Sequence, residues 1–139
     1  MTVNQIIEAI ALQLKMLYHD KHVYVDEIPQ GSNESFYVHC IDQAHTRGLD
    51  RRRWRSYSFE VLYFKAKKDS MAFNDWAEQM YWAFERIEAD GRILTPIDAQ
   101  AVDGRDRVYH FTFDINLTGL IDEETLPMAK FKLKNNIID

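Results

Sequence analysis

Residues 108–117 alternate without a break: Tyr109, Phe111, Phe113, Ile115 and Leu117 take one set of positions, Val108, His110, Thr112, Asp114 and Asn116 the other. Successive side chains of a strand point to opposite faces. One face of this segment is therefore apolar and aromatic and the other mostly polar, as expected of a half-buried antiparallel strand. Such a strand needs neighbours in a sheet and a second layer over its aromatic face. The turn signal Asp103-Gly104-Arg105-Asp106 joins it to an earlier strand over residues 93–102, making a hairpin. Thr118-Gly119 then breaks the pattern, and a short last strand is placed over residues 129–133.

Two amphipathic segments supply the covering layer. Thr2 and Gln5 fit a capping box, in which each side chain bonds the other residue's backbone amide. Ile6, Ile7, Ile10, Leu14 and Leu17 then recur at helical spacing, with Glu8, Gln13 and Lys15 on the other side, so a first helix ends near Tyr18. Asp69 and Ser70 offer caps for a second helix, along which Phe73, Trp76, Ala77, Met80, Phe84 and Ile87 form the apolar stripe. Asp90-Gly91 supplies its stop, because glycine takes the left-handed position without steric cost.

Three further strands are expected over residues 22–28, 36–41 and 56–66, the first ended by the turn formers at 29–33. In the third, Tyr57, Phe59, Val61 and Tyr63 share one face while Leu62 and Phe64 partly cover the other, as suits a central strand. Residues 44–55 read as a long hairpin loop. The order is α-β-β-β-α-β-β with a final β, an α+β fold of two helices on a mostly antiparallel sheet. With no repeat, low-complexity stretch or linker, residues 1–139 are expected to form a single domain.

Composition narrows the classes of function. The one cysteine, Cys40, cannot form an internal disulfide, and the first residues lack the basic and apolar regions of a signal peptide. No apolar run is long enough to span a membrane, so the expected setting is the cytoplasm of the cell that makes the chain. The net charge of −5 argues against a general nucleic-acid binder, but its distribution is uneven. Residues 45–68 carry eight basic side chains against Asp50 and Glu60, a local +6 on a background of −11. Opposite patches on neighbouring copies can then meet head to tail and close a ring.

No catalytic, cofactor-binding or metal constellation is legible. The five glycines are isolated, which rules out a phosphate loop. His39 and Cys40 are adjacent on a strand and point apart, while His19 and His22 straddle a helix-to-strand boundary with no carboxylate at matching spacing. Cys40 shares a strand face with Phe36 and Val38, where a small buried hydrophobe is the simpler reading than a nucleophile. The residues singled out for recognition are Arg47, Arg51, Arg52, Arg53, Trp54 and Arg55, because Trp and Arg dominate protein interfaces. A tryptophan shielded by arginine stems ranks second and nucleic-acid stacking third. Tyr81 and Trp82 are read first as packing residues of the second helix; lying beside its apolar stripe, they would in the alternative reading widen it into a subunit contact.

The layout over residues 4–118 resembles the tail terminator proteins of long-tailed bacteriophages and prophages. The resemblance rests on Asn4-Gln5-Ile6-Ile7-Glu8-Ala9-Ile10, on Val23-Tyr24-Val25-Asp26-Glu27-Ile28-Pro29-Gln30-Gly31 and on Phe36-Tyr37-Val38. Tyr57-Ser58-Phe59-Glu60-Val61, the aromatic second helix and Val108-Tyr109-His110-Phe111-Thr112-Phe113 continue it. Ser35 stands where that family usually has proline, and the arginine run before the third strand is unusually dense. The resemblance implies a non-enzymatic assembly protein without cofactors. It would form a ring, typically of six copies, on the last ring of tail-tube protein, stop tube growth and meet the head connector. Assembly would take place in the bacterial cytoplasm, leaving the protein in the virion tail or neck. A neck or head-completion protein, a nucleic-acid-binding regulator using the Arg/Trp segment, and a small enzyme with an unrecognised site are the competing readings.

Overall fold

In the computed structural model of the protein, residues 1–27, 33–67, 69–104 and 106–120 are described. Among the described residues two helices, α1 (Val3–Leu17) and α2 (Ser70–Ala83), accompany seven strands: β1 (Val23–Tyr24), β2 (Ser35–Arg47), β3 (Arg52–Phe64), β4 (Ile87–Ala89), β5 (Arg92–Leu94), β6 (Ile97–Asp103) and β7 (Val108–Leu120). β1-β2-β3-β7-β6 form one sheet in that order, and β4-β5 a separate hairpin. β3 is thus the central strand, as its two-sided apolar pattern predicts. Its links to β7 run Ser58 to Asp114, Glu60 to His110 and Lys65 to Arg107, so the two strands are antiparallel. β6 pairs antiparallel with β7, with an irregularity between Ile97 and Gln100. The exception is β1, which lies parallel to β2 with Val23 opposite Phe36 and Tyr24 opposite Tyr37. The fold is α+β with a mostly antiparallel sheet.

The residues group into two compact units, Met1–Gln43 with Tyr57–Ile115, and Ala44–Ser56 with the chain from Asn116. The first holds both helices. α1 begins at Thr2, whose hydroxyl accepts the Gln5 amide at 3.2 Å while Gln5 Oε1 accepts the Thr2 amide at 2.8 Å. It buries Ile6, Ile10 and Leu14. α2 begins at Asp69, whose carboxylate accepts the Met71 and Ala72 amides, each at 3.1 Å. It buries Trp76, Ala77 and Met80. Opposite them lie Phe36 and Val38 of β2, Tyr57, Phe59, Val61 and Tyr63 of β3, and Tyr109, Phe111, Phe113 and Ile115 of β7, all at most 5% exposed. The aromatic rings interlock: Phe36 stacks on Tyr63 at 4.4 Å, and Tyr109 tilts against Trp76 at 5.4 Å. The Gln13 side chain donates to the carbonyls of Ala83 and Arg86, tying α1 to the end of α2.

Several elements differ from expectation, each for a local reason. α2 stops at Phe84, and Ile87 belongs to β4. Asp90 and Gly91, both at positive φ, form the tight turn between β4 and β5 rather than a helix cap. The strand expected over residues 93–102 is divided into β5 and β6 by Pro96, which has no amide to give a ladder. The strand expected over 22–28 is only Val23–Tyr24. β7 continues through Thr118-Gly119 to Leu120. The strand expected over 129–133 lies outside the described residues.

The largest correction concerns residues 44–55. They are not a long loop: β2 runs on to Arg47, β3 starts at Arg52, and only residues 48–51 turn. The turn is closed by the Gly48 amide donating to the Arg52 carbonyl at 2.9 Å and the Arg52 amide to Leu49 at 3.2 Å. Asp50 supplies the positive φ (64°) that lets four residues reverse the chain. Thr46 and Trp54 are good strand residues, and arginine stems lie readily along a ladder, so the basic character of the segment does not oppose pairing.

Candidate interaction site at the arginine hairpin

The second unit contains the residues the sequence marks for recognition. Arg47 ends β2, Arg51 lies in the turn, and Arg52, Arg53, Trp54 and Arg55 open β3. Side chains alternate along β3, so Arg52 and Trp54 take one face and Arg53 and Arg55 the other. Gly48, which sequence reading treats as punctuation, seats the tryptophan: a Cβ there would stand only 2.2 Å from Cζ3 of the Trp54 ring. The indole lies over the bare glycine backbone and is still 41% exposed. The signal for this seat is a glycine six residues before a tryptophan across a tight turn. It is legible only once the turn is known to be short. Leu49 at the turn is 88% exposed.

Two open hollows flank the indole. Arg52, Arg53, Trp54, Thr118 and Gly119 line one, and Ala44, Thr46, Trp54, Arg55, Asn116 and Leu117 are among the residues lining the other. The Arg53 guanidinium donates to the carbonyls of Arg52 (2.8 Å) and Asp50 (3.5 Å), which holds the side chain against its own turn. Within residues 44–56 there are five arginines and one carboxylate, Asp50. The site is a cationic, partly aromatic surface suited to acidic protein partners.

Of the lysines in the +6 segment, Lys65 is engaged elsewhere. Lys65 sits in the first unit, 3.1 Å from Glu34, whose carboxylate also meets Lys21 at 3.6 Å and accepts from the Tyr63 hydroxyl and, at 3.4 Å, the Ala66 amide. Burial alone would raise the Glu34 pKa, but these donors and the Lys65 charge together lower it below the ordinary value. Burial, followed by the adjoining Glu34, pushes the Tyr63 hydroxyl up.

Tyr81 and Trp82 are separated by their surroundings. The Tyr81 ring meets Phe111 edge-on at 5.5 Å and its hydroxyl accepts the Ala101 amide of β6 at 2.9 Å. Trp82 is 68% exposed. The histidines form no metal cluster: among the described residues no group of three or more His, Cys, Asp or Glu is arranged to hold an ion. His39 and His110 instead flank Glu60 at 2.7 and 3.1 Å, bridging β2, β3 and β7. The Cys40 thiol contacts the Asp42 carbonyl at 3.3 Å, and burial raises its pKa, away from the reactive thiolate. Among the described residues no helix is long and apolar enough to cross a membrane.

A family model described as phage tail terminator protein matches residues 5–127. The chain belongs to the phage tail terminator family. Tail terminators are structural proteins of the phage tail and not typically enzymes, so the cationic hairpin sits on a component of virion assembly. One solved chain shares 11% identity with this tail terminator, over 88% of the protein and 97% of that chain, with a TM-score of 0.43. No curated protein matches it.

Proposed function

We propose that this tail terminator caps the tail tube, ends its polymerisation and presents the surface that receives the head connector. It acts without catalysis or cofactor, as a single functional domain, in a ring of six copies assembled in the bacterial cytoplasm and retained at the tail–neck junction. The observation that carries this reading is the Arg47–Arg55 hairpin: five guanidinia and an exposed indole on two paired strands and the turn between them, in a chain of net charge −5. A heterologous contact in a ring needs two different, complementary patches on each copy, and a cationic hairpin on an acidic protein supplies them. Arg47, Arg51, Arg52, Arg53, Trp54 and Arg55 contact the neighbouring copy or the tube, and Trp82, with Tyr81 beside it, adds to the contact between copies. Nucleic acid is not the partner, since the cationic surface is short and the rest of the chain acidic.

The test is to replace Arg51, Arg52, Arg53 and Arg55 together by alanine and to assay ring formation and tail completion. Impairment of either, with the melting temperature held, supports the reading. Natural behaviour in both assays would discard it.

A further inference from the structure

The outer faces of the two helices carry side chains that the core does not use. On α1, Glu8, Leu12 and Met16 recur four apart, opposite the buried Ile6, Ile10 and Leu14. On α2, Asp75, Glu78 and Trp82 recur three and four apart, opposite Trp76, Ala77 and Met80. Leu12, Met16 and Trp82 are each more than half exposed. Gln13 donates to the Ala83 and Arg86 carbonyls and the Tyr18 hydroxyl to the Gln79 side chain, so the helices run antiparallel and the two outer stripes lie side by side. Among the described residues no cation pairs with Glu8, Asp75 or Glu78, and Lys15 of α1 donates instead to the Lys21 carbonyl at 2.6 Å. Large apolar side chains exposed among unpaired carboxylates mark a surface for a cationic, partly apolar partner.

The arginine hairpin has that character. Arg47, Arg51 and Arg52 are exposed, and among the described residues none of them forms an ion pair with a carboxylate. Leu49 and Trp54 add exposed apolar surface between them. Three guanidinia thus face three carboxylates in number, and both surfaces have an apolar component. Because the two surfaces differ, a contact between them is heterologous: every added copy leaves one hairpin and one helical face open until the chain of copies closes.

We propose that the arginine hairpin of one copy docks on the outer α1–α2 face of the next, with Arg47, Arg51 and Arg52 meeting Glu8, Asp75 and Glu78, and Leu49 and Trp54 packing on the exposed apolar side chains. The docking rests on the ring of the tail-capping reading, and it assigns the hairpin to a second copy rather than to the tube. Exposed ion pairs are individually weak and screened by salt, so the charges set which surfaces meet while the apolar side chains add area.

The test uses the full-length chain, with self-association followed by analytical ultracentrifugation over a concentration series and melting temperatures recorded for every variant. Neutralising either side, R47Q/R51Q/R52Q or E8Q/D75N/E78Q, is expected to weaken association roughly tenfold. Neutralising both should weaken it little further, because each change removes the same contact. Charge reversal sharpens the result. R47E/R51E/R52E and E8K/D75K/E78K should each stay monomeric where the natural chain assembles, and an equimolar mixture of the two should assemble again with copies alternating. Losses that simply add in the doubly neutralised chain, or folded reversed chains that stay apart when mixed, would overturn the proposal. A natural chain that is monomeric at every concentration overturns it too. Loss of association on neutralising the hairpin but not the helices assigns the hairpin to another surface, which ends this docking and leaves the capping role intact. Mixed rings that assemble but fail to stop tail-tube growth would sink the capping role and leave the docking standing.

Discussion

Gly48 and Trp54 act as a pair across the hairpin turn. A Cβ on residue 48 would stand 2.2 Å from the indole ring, so Gly48→Ala must push the ring off its seat or distort the closing hydrogen bond from Gly48 to Arg52. Overpacking of this kind costs about 1–3 kcal/mol, read as a lower urea midpoint with Trp54 more accessible to a fluorescence quencher. An unchanged midpoint and unchanged quenching would contradict the seating. Glu34 gives the second prediction at this scale. Its folded pKa lies below its ordinary 4.5, so the stability it contributes is present above that pH and is lost as pH falls through the folded value. Glu34→Gln should therefore lower the melting temperature near pH 7, and the gap from the natural chain should close below about pH 4.5. A gap that stays constant across that window would exclude the charged pairing with Lys65 and Lys21 as its source.

At the scale of elements, Tyr81 links a helix to the sheet's edge. β6 is an outer strand, and the Tyr81 hydroxyl takes the Ala101 amide at 2.9 Å, occupying an edge donor that another strand would otherwise use. Tyr81→Phe keeps the ring contact with Phe111 but leaves that amide to water. Amide exchange at Ala101 should rise by roughly fivefold, matching a hydrogen bond worth about 1 kcal/mol, while the β7 amides stay protected. Uniform exchange across β6 and β7 in both proteins would contradict this role. Elements with strong periodicity were legible in the sequence: α1 from its capping box and isoleucine spacing, β7 from its alternation, β3 as the centre of the sheet. What misled was local punctuation with two meanings. Asp90-Gly91 stops a helix and also turns a hairpin, and only the β4–β5 pairing decides between them. The basic run at 44–55 resembles a solvated loop because charge pattern carries no ladder signal. The seat of Trp54 and the donors gathered on Glu34 depend on residues far apart in sequence, which periodicity does not connect.

For the whole molecule, charge and family converge on assembly. The arginines occupy a hairpin end while Lys65 is engaged by Glu34, so the positive charge available to a partner is smaller and more local than the +6 segment suggests. Membership of the tail terminator family makes the partners other proteins of the phage tail and head, and the proposed contact surface for one of them is the hairpin. The central claim is that this surface halts tube growth. Its most direct test is to polymerise the cognate tail-tube protein with increasing amounts of this protein and measure tube lengths by electron microscopy. Tubes should stop lengthening once their ends are occupied, with extra density at one end, and the R51A/R52A/R53A/R55A variant should fail to stop them. Tubes that keep growing at saturating natural protein would contradict the account.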